Sequence, residues 1–191
     1  MIETSEKIEN RIGEQKEKNR FIKYLESLMK HQDREALANL RRGLGKPPKT
    51  AMEMYPYLGQ FLSHEPKHKY ENAVFIVAAL FAYYPEARTN VGNLGASLCQ
   101  IKDGSDSIEK RFVALLNAEI DELPNYLRQI IGLLKSKEVA VNWEQLFKDV
   151  QFWNSERSRV HESWARSFWG SFGNDKQNNQ DKPSISEGEN Q

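Results

Sequence analysis

Residues 108–153 read IEKRFVALLNAEIDELPNYLRQIIGLLKSKEVAVNWEQLFKDVQFW. Ile108, Phe112, Leu115 and Leu116 recur at helical spacing. Leu123, Leu127, Ile130, Ile131 and Leu134 form a second stripe, and Trp143, Leu146, Phe147, Val150 and Trp153 a third. Apolar residues three and four apart share one side of a helix, so each stripe predicts an amphipathic helix with one buried face. Pro124 stands in the first turn of the second helix, where its missing N–H does no harm. Asn142 is placed to cap the third. Farther on, Val160, Trp164 and Phe168 mark a fourth. Four such helices on short joints predict an antiparallel four-helix arrangement for the C-terminal half, residues 105–172.

The same reading works upstream. Phe21, Leu25, Leu28 and Met29 mark a helix face; Asp33 caps a second helix carrying Ala36, Leu37 and Leu40, with Gly43 just past its end. A third helix over 51–62 contains Pro56, which bends it or delays its start. The fourth, 70–84, is apolar nearly all round and belongs at the centre of the core. Residues 85–107 form a long connection with a short helix near 94–101. The expected protein is therefore all-α, a helical bundle of two packed halves, 21–104 and 105–172. A charged N-terminal arm (1–20) precedes them and a tail (173–191), too polar to order, follows.

Composition narrows the function classes. The chain has 191 residues, 28% charged and 39% hydrophobic, with 27 basic and 27 acidic side chains. Whole-chain charge thus points to no particular partner, and only a local cluster could attract nucleic acid. Cys99 is the single cysteine, which excludes an internal disulfide and a cysteine metal cluster and fits a reducing cytoplasm. The charged first twenty residues do not read as a signal peptide. The longest apolar run, AVFIVAALFAYY at 73–84, is twelve residues, too short to span a bilayer.

No set of residues suits catalysis. RRGLGKPP lacks the preceding strand and the Gly-Lys-Ser/Thr of a phosphate loop. His64 and His68 are four apart, but Pro66 breaks the helix that a metal pair needs. His31 and His161 add no second His-x-x-x-His pair. Cys99 lacks a neighbouring base, and Ser97 and Ser105 lack a nucleophile turn. Asp121 and Glu122 sit where a helix N-terminus favours negative charge. No metal or cofactor is expected.

Basic residues are more informative. LANLRRGLGKPPKT (37–50) gathers Arg41, Arg42, Lys46 and Lys49 on a glycine- and proline-stiffened turn. Arg34 and Arg41 are seven apart, two helical turns, and so are Arg128 and Lys135 beside the Leu127–Ile131–Leu134 stripe. Arg111 borders the Ile108–Phe112–Leu115 stripe. Stems at such positions pack on apolar surface while the charged heads reach outward, and a row of them can follow a sugar-phosphate backbone. A solvated face explains the same charges, and a helix C-terminus favours Arg41 and Arg42 through its dipole alone. Glu109, Glu119 and Glu138 are available to neutralise neighbours. Trp143, Trp153 and Trp164 are in phase with the buried stripes; Trp169 is turned away and is the tryptophan expected to face a partner.

The segment NLGASL, followed by EKRFVALLNAEIDELPNYLRQIIGLLKSKEVAVNWEQLFKDVQFWNSERSRVHESWARSFW, resembles the CasB family, the small subunit of the type I-E CRISPR surveillance complex Cascade. LRRGLGKPP followed by MYPYL resembles the family's early Arg-Arg-Gly-x-Gly-x-x-Pro segment, so the likeness runs from Leu37 to Trp169. Asn142 precedes the tryptophan where aspartate also occurs in relatives, and both residues can cap. The resemblance implies a helical, non-enzymatic subunit, present in two copies and held by the backbone and large subunits. It implies contact with guide RNA and with the target or displaced DNA strand, stabilising the opened duplex. Arg41, Arg42, Arg111 and Arg128 match the family's basic positions; Lys46, Lys49, Lys102, Lys110, Lys135 and Arg166 join them on geometry. Neutral total charge is a departure from the family's more basic character, and it predicts weak nucleic-acid binding by the isolated chain. The rival reading is a helical adaptor whose cations serve protein contacts only. An isolated DNA-binding regulator lacks a recognition-helix pattern.

Overall fold

A computed structural model describes residues 20–63, 67–102, 106–155 and 159–170. The N-terminal arm and the tail, with His64, Pro66 and Ser105, lie outside these residues. Helix α1 occupies 20–30 and buries Phe21, Ile22, Leu25 and Leu28. Helix α2 (Arg34–Arg41) starts as expected at Asp33, whose carboxylate accepts from the Ala36 N–H at 2.9 Å. The expected third helix is broken. A 3-10 turn (Met52–Met54), one α turn (α3, Tyr55–Leu58) and a second 3-10 turn (Gly59–Phe61) follow each other, because Pro56 lacks a donor and Gly59 favours no helix.

Helix α4 (His68–Tyr83) is the central element: eleven of its residues are buried, from Glu71 and Ala73 to Ala82. Each fully buried leucine or phenylalanine contributes about 1.5–3 kcal/mol relative to exposure, so a helix buried all round anchors everything packed on it. Then come α5 (Leu94–Cys99), α6 (Asp106–Leu116), α7 (Leu123–Ser136), α8 (Trp143–Gln151) and α9 (Val160–Trp169). The buried apolar residues of α6 to α9 fall on the predicted stripes, Ile108 to Leu115, Leu123 to Leu134, Trp143 to Val150 and Val160 to Phe168, while Leu116 is only partly buried and α8 also buries Asp149 and Gln151. Asn142 caps α8 by accepting from Gln145 N–H at 3.0 Å. Glu122 occupies the N-cap of α7 but makes no side-chain capping bond.

The fold class is all-α, and one hydrophobic core runs through both parts of the chain. Its pairings are less local than the predicted bundle. Helix α6 packs on α7, while α8 lies mainly on α4, and α9 on α5; α2 also packs on α4. A parallel bridge between Arg88 and Val141 ties the connection after α4 to the entry of α8, with bonds of 3.2 Å on each side of Val141.

Buried polar groups mark the α8–α9 junction. Asp149 accepts from Trp164 Nε1 at 2.6 Å and from Gln145 Nε2 at 2.8 Å. Burial pushes its carboxyl above the ordinary aspartate range, against those two hydrogen bonds. Trp153 Nε1 donates to Ala118 O at 3.0 Å, and Ser97 Oγ donates to Ala140 O at 2.9 Å. Trp169 is more exposed than the other three tryptophans, yet its ring packs on Phe112 and Phe168 and its Nε1 donates to Glu109.

Candidate nucleic-acid interface

The segment 41–50 does not leave the helix as a free turn; it lies back along α4. Arg41 Nε donates to Ala82 O at 3.0 Å. A Cβ on Gly43 would stand 3.6 Å from Ala79 Cβ, and Gly43, Lys46 and Lys49 share a small cleft with Phe75 and Ile76. Lys49 reaches Glu71, in the first turn of α4, at 2.5 Å. From Ala82 to Glu71 is about 16 Å by helical rise, so the segment covers most of the helix.

Helix α7 flanks it. Lys135 Nζ donates to Tyr83 O at 2.7 Å and lies over the Tyr83 ring, 4.5 Å from its centroid. A Cβ on Gly45, whose φ is +73°, would stand 2.9 Å from Arg128 Cδ. The Arg128 stem therefore rests on the place where any other residue's side chain would begin. Arg41 and Lys135 satisfy the last carbonyls of α4, where the helix dipole favours cations, and both keep donors directed elsewhere. Segment 41–50 and α7, both held against α4, thus bring Arg41, Lys46, Arg128 and Lys135 to one face. All four are exposed, and none has a carboxylate at ion-pair distance among the described residues.

The other predicted cations divide by what already holds them. Arg42 pairs with Glu53 at 3.3 Å on the rim of the same turn. Lys110 pairs with Asp106 at 3.6 Å and Arg166 with Glu162, both along a helix face. Lys102 is only 14% exposed, lies over the Phe168 ring and is 3.8 Å from Glu109. The exposed pairs of Arg42, Lys110 and Arg166 contribute little and yield readily to a stronger partner. Arg34 and Arg111 are exposed, with no carboxylate at ion-pair distance among the described residues. Of the three glutamates expected to neutralise cations, Glu109 does so; Glu53 and Glu71 went unnoticed in the sequence. Glu71 had a signal, being the one acidic residue of a helix that is apolar from Ala73 onward. Gly45 had one only in its place beside Lys46.

Among the described residues no group of three or more His, Cys, Asp and Glu side chains could hold a metal ion, and no helix is long and apolar enough to cross a membrane. The class is an all-α protein whose cations gather along α4 and α7. A sequence profile for the CRISPR-associated protein Cse2 matches residues 36–169, and the chain belongs to the Cse2, or CasB, family. A Cse2 protein from Thermus thermophilus is 32% identical over 153 residues, 79% of this chain and 89% of the relative. The crystal structure of a Cse2-family protein from the same organism matches with a TM-score of 0.72 at 31% identity, over 80% of this chain and 97% of that one. CasB from M. ruber matches at 0.68 and 27%, over 86% and 98%. A chain of a CRISPR RNA-guided surveillance complex matches at 0.72 and 25%, over 85% and 97%.

Proposed function

We propose that this chain is the non-catalytic small subunit of a type I-E CRISPR guide-RNA surveillance complex in the cytoplasm. It contacts single-stranded nucleic acid through basic helix-edge residues and so stabilises the opened target duplex and the assembly. Its partners are the backbone and large subunits, a second copy of itself, the guide RNA and the target or displaced DNA strand. The observation that carries the reading is the convergence of Arg41, Lys46, Arg128 and Lys135 on one face, without carboxylate partners among the described residues. Similarity to a chain of a surveillance complex supports the assembly. Base pairing reads sequence in such a system, so the subunit need only hold backbones by charge.

The test is Arg111→Gln with Arg128→Gln in the reconstituted complex, followed by target-DNA retention across a salt series. Two lost single-strand phosphate contacts lower the salt slope by about 1.4. Between 50 and 200 mM salt the variant then loses about sevenfold less affinity than the parent does. Assembly stays intact. Unchanged retention and slope would refute the reading for these residues and leave the adaptor role.

A further inference from the structure

We propose that Lys49 and Glu71 are positioning residues. Their partly buried ion pair pins segment 41–50 along α4, so that Arg128 seats over Gly45 and stands beside Lys46 as one anion-binding unit. This rests on the nucleic-acid reading above and names the device that builds its site. It also turns Lys49 from a phosphate contact into a strut.

The Glu71 side chain is 6% exposed and that of Lys49 28%. A carboxylate buried on the most apolar helix is costly unless paired, and no other cation is at ion-pair distance among the described residues. The lysine ammonium is therefore turned inward, away from any strand passing over the surface. Its backbone is held in the left-handed region, φ 67°, which lysine adopts only when its surroundings impose it. Pro47 and Pro48 stiffen the approach, and the Tyr55 hydroxyl donates to Lys49 O at 3.3 Å. Between this anchor and the Arg41–Ala82 bond at the other end, the chain has little freedom, and Gly45 falls under Arg128. Glycine suits the place: φ is +73°, strained for a side chain, and a Cβ would press on the Arg128 stem and force it aside.

Glu71→Gln tests the idea because it adds positive charge. A reading in which the local field alone holds DNA expects equal or tighter retention. Positioning expects retention in the assembled complex to fall about fivefold at 0.1 M salt, the electrostatic share of one single-strand phosphate contact. It also expects faster amide exchange across 42–50. The swapped pair, Lys49→Glu with Glu71→Lys, should recover to within about twofold. If Lys49 touches phosphate instead, the swap remains as weak as Lys49→Glu alone, and the proposal fails. Gly45→Ala, uncharged and away from the pair, should cost the same fivefold, with no further loss on adding Arg128→Gln. If Glu71→Gln does not fold, Gly45→Ala decides, and undiminished retention overturns the proposal. Failure of the Arg111/Arg128 double variant to weaken retention refutes the parent reading. Weakening there, with Glu71→Gln and Gly45→Ala both normal, refutes this inference alone.

Discussion

Gly95→Ala is the substitution that most directly tests how the two parts of the chain are joined. Gly95 lies in α5, which packs on α9. A Cβ at this position would stand 2.2 Å from Trp164 O, 2.9 Å from its carbonyl carbon and 3.0 Å from its Cα. These are backbone atoms of a helix and cannot swing aside as a side-chain tip does. Ordinary contact begins near 3.4 Å, so the helices must part by about 1.2 Å. The Asn93 amide bonds to Ser163 O and Oγ, 3.3 and 3.1 Å, cross the same interface and would stretch past hydrogen-bonding range. Overpacking of this kind costs about 1–3 kcal/mol, and each lost bond adds about 0.5–1.5. The better helix propensity of alanine offsets about 1 kcal/mol. The net loss is about 3 kcal/mol, which for a chain of this size lowers Tm by about 6–12 °C. Thermal unfolding followed by circular dichroism at 222 nm reads it directly. Gly59→Ala is the control: its Cβ meets nothing within 4 Å and its φ is −52°, so Tm should hold or rise slightly. A Gly95→Ala variant within about 1 °C of the parent would refute the close approach of α5 and α9.

Other outcomes follow from the α8 region. Asp149 has a higher pKa folded than unfolded, so the folded state holds its proton more tightly. Its contribution to stability is therefore largest in acid and falls as pH climbs from the ordinary aspartate range, about 4, through the raised value. Asp149→Asn keeps an acceptor for Trp164 Nε1 and removes that fall; if variant and parent show parallel Tm–pH curves, Asp149 does not titrate as described. Asn142→Ala removes the cap of α8 and should cost about 1 kcal/mol in denaturant unfolding. No loss would mean that the Asn142 bond to Gln145 N–H, and its 3.0 Å bond to Gly92 O, contribute nothing.

Much of the fold is legible in the order of residues. The stripes of α6 to α9 name their buried residues because a helix repeats every 3.6 residues and water rejects its apolar side. Asp33 and Asn142 are legible for a local reason too: a capping oxygen serves an N–H three residues on. Trp169 is half legible. Its phase shows it turned from the stripe, but its packing on Phe112, distant in sequence, has no local signal. The broken helix at 52–61 is foreshadowed by Pro56, while the balance between α and 3-10 turns depends on what packs beneath.

By itself, the sequence determined which residues make helices, which faces are buried and where most of the cations lie, since propensity, periodicity and capping act within a few residues. Tertiary structure decided the partners. Periodicity says that a face must be covered without saying by what, so α4 with α8 and α5 with α9 were invisible as pairs. The same holds for charge. A lysine at 49 and an arginine at 128 look alike as letters. One reaches inward to a buried glutamate, and the other packs its stem against a glycine of a distant turn while its head stays exposed. Desolvation and steric contact between remote segments set those positions, and both arise only once the chain has packed.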